Sequence, residues 1–451
     1  MMTTRTPSRL RALCFGLTLA FGALAAQAQA NRAEVIHWWT SGGESAAVKQ
    51  LAEAYNAAGG TWVDSAIAGG EQARSTAINR MVGGTPPTAA QFNTSKQFLD
   101  LVDQGMLNNV DEVAAKNNWD KILPAPILSS IKIQGHFYAV PVDIHMPAWF
   151  WYSKAAFAKA GIAAEPKTAD ELFAALDKLK AAGLVPLAFG GQPWQEKITF
   201  YAWLAHVGGT EMYMKLYRDK DAAMVMSPAF KSVLTSFKRL HGYVDAGSPN
   251  RNWNDATAMV IAGKAGFQVM GDWAKGEFAA AHQVAGKDFG CFPGFGPKSP
   301  YLVAGDVFVF PKTTDAAQIK SQQLLATVFT SPPTQVAFSN KKGSIPIRTD
   351  VDVAGLDLCA QQGVAIMKDR SRQLPSPEML ITPDMEGALQ DVITKFWNTS
   401  ESSVCKTRFR PPVLPAAAGR VKPTRGACFS NSAKAVFTSS AVMPWPRRWR
   451  V

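Results

Sequence analysis

The stretch Glu34-Val35-Ile36-His37-Trp38-Trp39-Thr40-Ser41-Gly42-Gly43-Glu44 decides the fold class. Residues 34–40 are rich in β-branched and aromatic side chains, a composition that suits a pleated strand. A few residues on, the period becomes helical: Val48, Leu51 and Tyr55 share one face until Gly59-Gly60 stops the run. Strand, polar loop and amphipathic helix in succession are the repeating unit of an α/β protein, and the alternation continues. Thr168-x-x-Glu171 is a capping box that opens a helix with Leu172, Leu176 and Leu179 as its buried stripe and Gly183 at its end. Residues 137–142, 266–270 and 307–310 read as strands. The pattern predicts an α/β protein with largely parallel sheets.

The two ends of the chain read differently from this body. Arg5, Arg9 and Arg11 form a basic stretch without acids, residues 12–24 are apolar, and Ala28-Gln29-Ala30 offers small residues for cleavage. Residues 1–30 are therefore expected to be a secretory signal peptide, with the mature chain starting near Asn31. The apolar run is well short of the ~20 residues that span a bilayer. Cys14 opens that run, whereas a lipid-attachment cysteine would close it, so a free periplasmic protein is expected. Residues 405–451 carry ten bases and no acid, with Pro411-Pro412, Pro415, Pro444 and Pro446 among them. This tail has no helical or strand period, which suits an unfolded segment, a basic arm for membrane or nucleic acid, or a shifted reading frame.

Charge must be divided along the chain before it is interpreted. The net charge is +12, of which residues 1–30 carry +3 and residues 405–451 carry +10, so residues 31–404 carry −1. A body of about 370 residues that is nearly neutral implies no polyanion partner, and its size suits two lobes better than one core.

Cys291 and Cys359 are the cysteines of that body; a disulfide and two separate buried thiols are both open to an exported chain. Neither their spacing nor the scattered histidines resembles a metal site. Several tryptophans lie beside glycine, proline or polar residues: Trp38-Trp39, Trp194 in Gly-Gly-Gln-Pro-Trp-Gln, Trp253 in Asn-Trp-Asn-Asp, and Trp273 in Gly-Asp-Trp. A hexose has apolar C–H faces and polar rims, so it is held by flat aromatic rings bordered by amides and carboxylates. For any one tryptophan core packing is the commoner role; the set points to a ligand site. Glu44, Asp143, Asp272 and Asp306 would be the carboxylates of a glycosidase, but nothing in the sequence pairs them, and nucleophile-elbow, Walker and dinucleotide patterns are absent.

The segments Val35 to Glu44, Met81-Val-Gly-Gly-Thr-Pro-Pro-Thr-Ala-Ala-Gln91, Tyr138-Ala-Val-Pro-Val-Asp-Ile-His145, Gly190-Gly-Gln-Pro-Trp-Gln195 and Lys342-Gly-Ser-Ile-Pro-Ile-Arg348 resemble the family 1 extracellular solute-binding proteins, and within them the glucose/galactose receptors of ABC importers. The likeness covers nearly all of residues 32–404. It implies a type II periplasmic binding fold in which two α/β lobes, residues 31–141 with 303–345 and residues 142–302 with 346–404, close over an interlobe cleft. It implies a monomer that catalyses nothing, needs no cofactor or metal, binds a monosaccharide and engages membrane permease subunits. Trp38, Trp39, Glu44, Gln91, Asp143, His145, Trp253, Trp273, Asp306 and Lys342 match cleft positions of the family. Two departures stand out: Asn93 replaces a lysine that follows the glutamine in close glucose receptors, and no histidine follows His282. The rivals are a carbohydrate-active hydrolase with a tryptophan-lined cleft and a receptor for another small polar solute such as a polyamine or oligopeptide.

Overall fold

In the computed structural model, which describes residues 31–93 and 95–399, the opening strand is β1 (Arg32–His37). It stops before Trp38 and Trp39, which leave the sheet and lead into α1 (Gly42–Ala57). Ser41 caps that helix: its hydroxyl accepts from the Glu44 N–H at 3.3 Å, and the Glu44 carboxylate accepts from the Ser41 N–H at 3.4 Å. Val48, Leu51 and Tyr55 form its buried stripe as the period predicts. The signal peptide expected at 1–30 and the tail at 405–451 lie outside the described residues.

The chain continues through β2 (Thr61–Ala66), α2 (Gly70–Val82), β3 (Ala89–Phe92), β4 (Leu107–Asn108) and β5 (Ala139–Pro141). It then builds a second body from β6 (Trp149–Ser153), α3 (Ala169–Ala181), β7 (Val185–Ala188), α4 (Pro193–Trp203), α5 (Trp253–Ile261), β8 (Ala265–Met270), α6 (Ala274–Ala280) and β9 (Phe289–Phe292). It returns to the first sheet as β10 (Val307–Pro311), followed by α7 (Pro332–Lys342), and ends in α8 (Leu358–Met367), α9 (Pro377–Leu380) and α10 (Pro383–Asn398). The helix read from Thr168 is α3; Thr168 accepts from the Glu171 N–H at 3.1 Å, but the Glu171 carboxylate takes the Lys167 N–H rather than that of Thr168.

The α/β class is as read, but the sheets are mixed rather than largely parallel. The first has the order β2-β1-β3-β10-β4, with β5 also on β10; the second has the order β9-β6-β8-β7. Within these two sheets, parallel pairing is confined to β1 with β2 and β3, and to β8 with β7; residues 301–303 and 373–375 form a separate parallel pair. β10 runs antiparallel to β3, β4 and β5, and β6 antiparallel to β8 and β9. The reason is connectivity. β6 and β10 are reached by extended crossings between the bodies instead of helical crossovers, and only a helical crossover forces parallel neighbours.

Those crossings hold the two bodies together. Val142 N–H donates to the Asp306 carbonyl at 2.9 Å, His145 and Ala304 exchange backbone bonds at 2.9 Å each, and Ile144 and Ile345 exchange a pair at 3.0 Å. A further junction joins α1 to α6. Gly43 N–H donates to Glu277 Oε1 at 2.8 Å, and a Cβ on Gly43 would stand 2.5 Å from the Gly276 carbonyl carbon, so only glycine permits this backbone approach. The cysteine alternatives resolve as a disulfide between Cys291 on β9 and Cys359 on α8.

Candidate ligand-binding site

A cavity of about 1100 Å³ opens beside the crossings. Trp38, Trp39, Glu44, Asn93, His145, Trp194, Trp253, Trp273, Asp306 and Lys342 all contribute to its wall. Gln91 and Asp143 do not. They stand buried behind it and set the geometry of residues that do. Gln91 Oε1 accepts from the Trp38 N–H at 3.1 Å and its Nε2 donates to Asp306 Oδ1 at 3.1 Å, tying the end of β1 to the start of β10. Asp143 Oδ1 accepts from the Asp306 N–H at 2.8 Å. Asn93 reaches the same Asp306 oxygen at 2.9 Å, so the position expected to differ from the glucose receptors holds an amide on the central carboxylate.

Electrostatics centre on His145. Its Nδ1 lies 3.4 Å from Asp143 Oδ1 and 3.4 Å from Asp306 Oδ2, all three residues being buried. Burial alone would lower the imidazole pKa, but the charge of Asp306 and the closeness of both carboxylates outweigh it and raise His145 well above the ordinary histidine range. The reverse contest fixes Asp306: burial would raise it, yet His145 and Lys342 win and keep it ionised. Asp143 is pushed up, by burial first and by Asp306 second. Lys342 remains a cation despite burial because Asp306, Glu44 and Asp143 surround it. Its Nζ is 3.9 Å from Glu44 and lies between the rings of Trp39 and Trp273, 5.6 and 5.2 Å from their centroids. Asp143, His145 and Asp306 have metal-ligand side chains within 4.8 Å of one another. Their contacts as they stand are those of an ion-pair network.

The aromatic wall comes from both bodies. Trp273 stands edge-on to His145 with centroids 5.3 Å apart and lies 6.4 Å from Trp194, whose Nε1 is fixed by Gln192 Oε1 at 3.0 Å. Trp39, by contrast, is 1 % exposed and packs on Phe308 and Phe338, so much of its face serves the core. Trp119, Trp149, Trp151, Trp203 and Trp397 are core residues, the role that holds for most tryptophans. The sequence did not single out Arg74, Lys197, Glu378, Glu386 and Gln390, which also line the cavity. Arg74 sits beside the small-residue stripe Ala73 and Ala77 of α2, and Glu378 lies in the short helix α9 between Pro377 and Met379; neither neighbourhood carries a ligand signal.

Two α/β bodies, extended crossings between them and a polar, tryptophan-lined cleft at the junction define a two-lobed solute receptor. The chain belongs to the bacterial extracellular solute-binding proteins, whose family model matches residues 39–335. It is 41 % identical over 356 residues to a "Probable sugar-binding periplasmic protein" of Rhizobium meliloti, covering 78 % of this chain and 85 % of that one. A protein of the same description from Mesorhizobium japonicum is 39 % identical over 399 residues, 86 % of this chain and 94 % of that one. Among solved structures, the solute receptor AcbH, described as preferring β-D-galactopyranose, aligns with a TM-score of 0.71 at 19 % identity over 91 % of this chain and 99 % of its own. A chitin oligosaccharide binding protein aligns with a TM-score of 0.72 at 17 % identity over the same shares. At such identities the structural likeness is one of fold.

Proposed function

We propose that this chain is a periplasmic sugar receptor that binds a hexose of the glucose type in its pyranose form and delivers it, unaltered, to the permease of an ABC importer. The observation that carries this reading is the pair Trp194 and Trp273 standing beside the charged set His145, Asp306 and Lys342 in one cleft. The rings suit the C–H faces of a pyranose, and the imidazolium, ammonium and carboxylate suit its hydroxyl rim. The curated relatives' names point the same way. A polycation is disfavoured because Lys342 and His145 both present positive charge to the cleft.

The two lobes are residues 31–141 with 303–345 and residues 142–302 with 346–404, and the receptor acts as a monomer. Trp38, Glu44, Asn93, Trp253 and Asp306 join the rings and cations in contacting the sugar, while Gln91 and Asp143 position them. Contacts to both lobes exist together only when the cleft is closed, so ligand shifts the population toward closure, and the closed face is what the permease engages. A thermal-shift screen of the full chain against aldohexoses tests this. A saturating sugar at about a hundred times its Kd adds roughly 2.7 kcal/mol of stability. Stabilisation by a polyamine or peptide and by no sugar contradicts the reading, as does hydrolysis of a disaccharide during incubation.

A further inference from the structure

The segment Gly190-Gly-Gln-Pro-Trp-Gln195 puts Trp194 on the cleft wall, but its last residue stands behind that wall. Gln195, on the first turn of α4, is 1 % exposed and is not among the residues that line the cavity. Its side chain lies against the backbone of Gly190, where a Cβ would stand 1.9 Å from Gln195 Oε1, so the amide has room only because residue 190 is glycine. Gly191 docks the same turn on the loop that leads to α5: its N–H donates to the Ser248 carbonyl at 2.8 Å, and its carbonyl accepts from the Asn250 N–H at 3.2 Å.

The side-chain amides at this corner form a chain with a fixed direction. Gln195 Nε2 donates to the Arg251 carbonyl at 3.1 Å and to Gln192 Oε1 at 2.9 Å. Gln192 Oε1 also accepts from Trp194 Nε1 at 3.0 Å, and Gln192 Nε2 donates to Asn252 Oδ1 at 3.1 Å. A backbone carbonyl only accepts and an indole N–H only donates, so Arg251 and Trp194 fix which end of each amide is the oxygen. Both acceptor positions of Gln192 Oε1 are thereby taken. The second Nε2 hydrogen is what the Gln192 amide has left for a ligand, and Gln192 and Asn252 both line the cleft.

We infer that Gln195 is a positioning residue of the ligand site: from behind the wall it locks the Gln192 amide, which in turn holds the Trp194 indole and offers an N–H donor to an oxygen of the sugar. The inference rests on the pyranose reading of the cleft and adds a residue that acts without touching the ligand. Preorganisation of this kind lowers the ordering cost of binding. Two readouts on the full chain test it: titration calorimetry with glucose and galactose, and the exchange rate of the Trp194 indole proton, measured by NMR without sugar and assigned by its loss in Trp194→Phe. Gln195→Met, of similar length but without a donor, is expected to lower the affinity for the hexose the parent binds by about tenfold and to speed exchange of that indole proton. In a Gln192→Ala background the same substitution is expected to change neither, because the residue through which it acts is gone. Gln195→Asn, a methylene too short to reach Arg251 and Gln192 together, is expected to give the same two losses should the first variant not fold. Either readout unchanged in a folded variant, or equal losses with and without Gln192, would overturn the role. If neither hexose binds the parent, the pyranose reading fails, and the exchange rate alone then decides whether Gln195 holds Trp194 through Gln192.

Discussion

Trp273 owes its position to its neighbour Gly271, because a Cβ there would overlap the indole ring. Trp273→Ala is expected to weaken hexose binding by at least ~1–3 kcal/mol through loss of a stacking face, with the unfolding midpoint close to that of the parent. Gly271→Ala is expected to lose comparable affinity by displacing the same ring; unchanged Kd values in calorimetry would remove Trp273 from the site. Asp272 gives a pH test. Burial, opposed by the charge of His145 and the Met146 N–H, lifts its carboxyl from 3.8 to about 7. A carboxyl raised on folding keeps its proton in the folded chain while the unfolded chain ionises, so its contribution is complete below 3.8 and lost as the pH rises to about 7. Asp272→Asn retains an acceptor for the Met146 N–H and cannot ionise. Urea denaturation is therefore expected to show a smaller decline in stability between about pH 4 and pH 7 for the variant than for the parent; equal declines contradict the assignment. The roles of Asp143 and Gln91 were legible only as belonging to the cleft. Their place behind its wall follows from Gln91 facing Phe308 across the β3–β10 register, which no local pattern in the sequence encodes.

The disulfide joins α8 to β9 across 68 residues of sequence. Cross-linking a loop of that length is worth about 2–4 kcal/mol by loss of unfolded-state freedom. The paired substitution Cys291→Ser and Cys359→Ser is expected to lower stability by that order in urea titration and to leave sugar affinity unchanged, since neither cysteine lines the cleft. The helical periods of α1 and α3 were plain in the sequence because their stripes repeat through several turns and end at Gly59 and Gly183. Strands were less sharply bounded. Residues 34–40 have strand composition throughout, yet β1 ends at His37 because the Trp38 N–H is taken by Gln91 from another strand. The antiparallel sense of β6 and β10 was invisible for the same kind of reason: direction is set by how the chain crosses between bodies, and alternating helix and strand patterns do not record it.

The two bodies are joined through the crossings and through the Gly43–Gly276 approach, where the α1 N-terminus takes Glu277 of α6 as a partner. Among the described residues, every one that lines the cleft lies between Trp38 and Gln390. Truncation after Val404 is accordingly expected to leave sugar affinity unaltered; a truncated chain that stays folded but loses binding would show that residues 405–451 belong to the site. That the chain is an α/β receptor could be read from its segments, but the size of the cleft and the lining by Arg74, Lys197, Glu378, Glu386 and Gln390 could not, since α2, α4, α9 and α10 meet there from distant parts of the sequence. The most direct test of the receptor assignment is equilibrium titration of the full chain with aldohexoses, followed by recovery of the sugar. Saturable binding at one site, with the sugar recovered unchanged, is the predicted result; absence of binding by any hexose or disaccharide, or recovery of cleaved sugar, would contradict it.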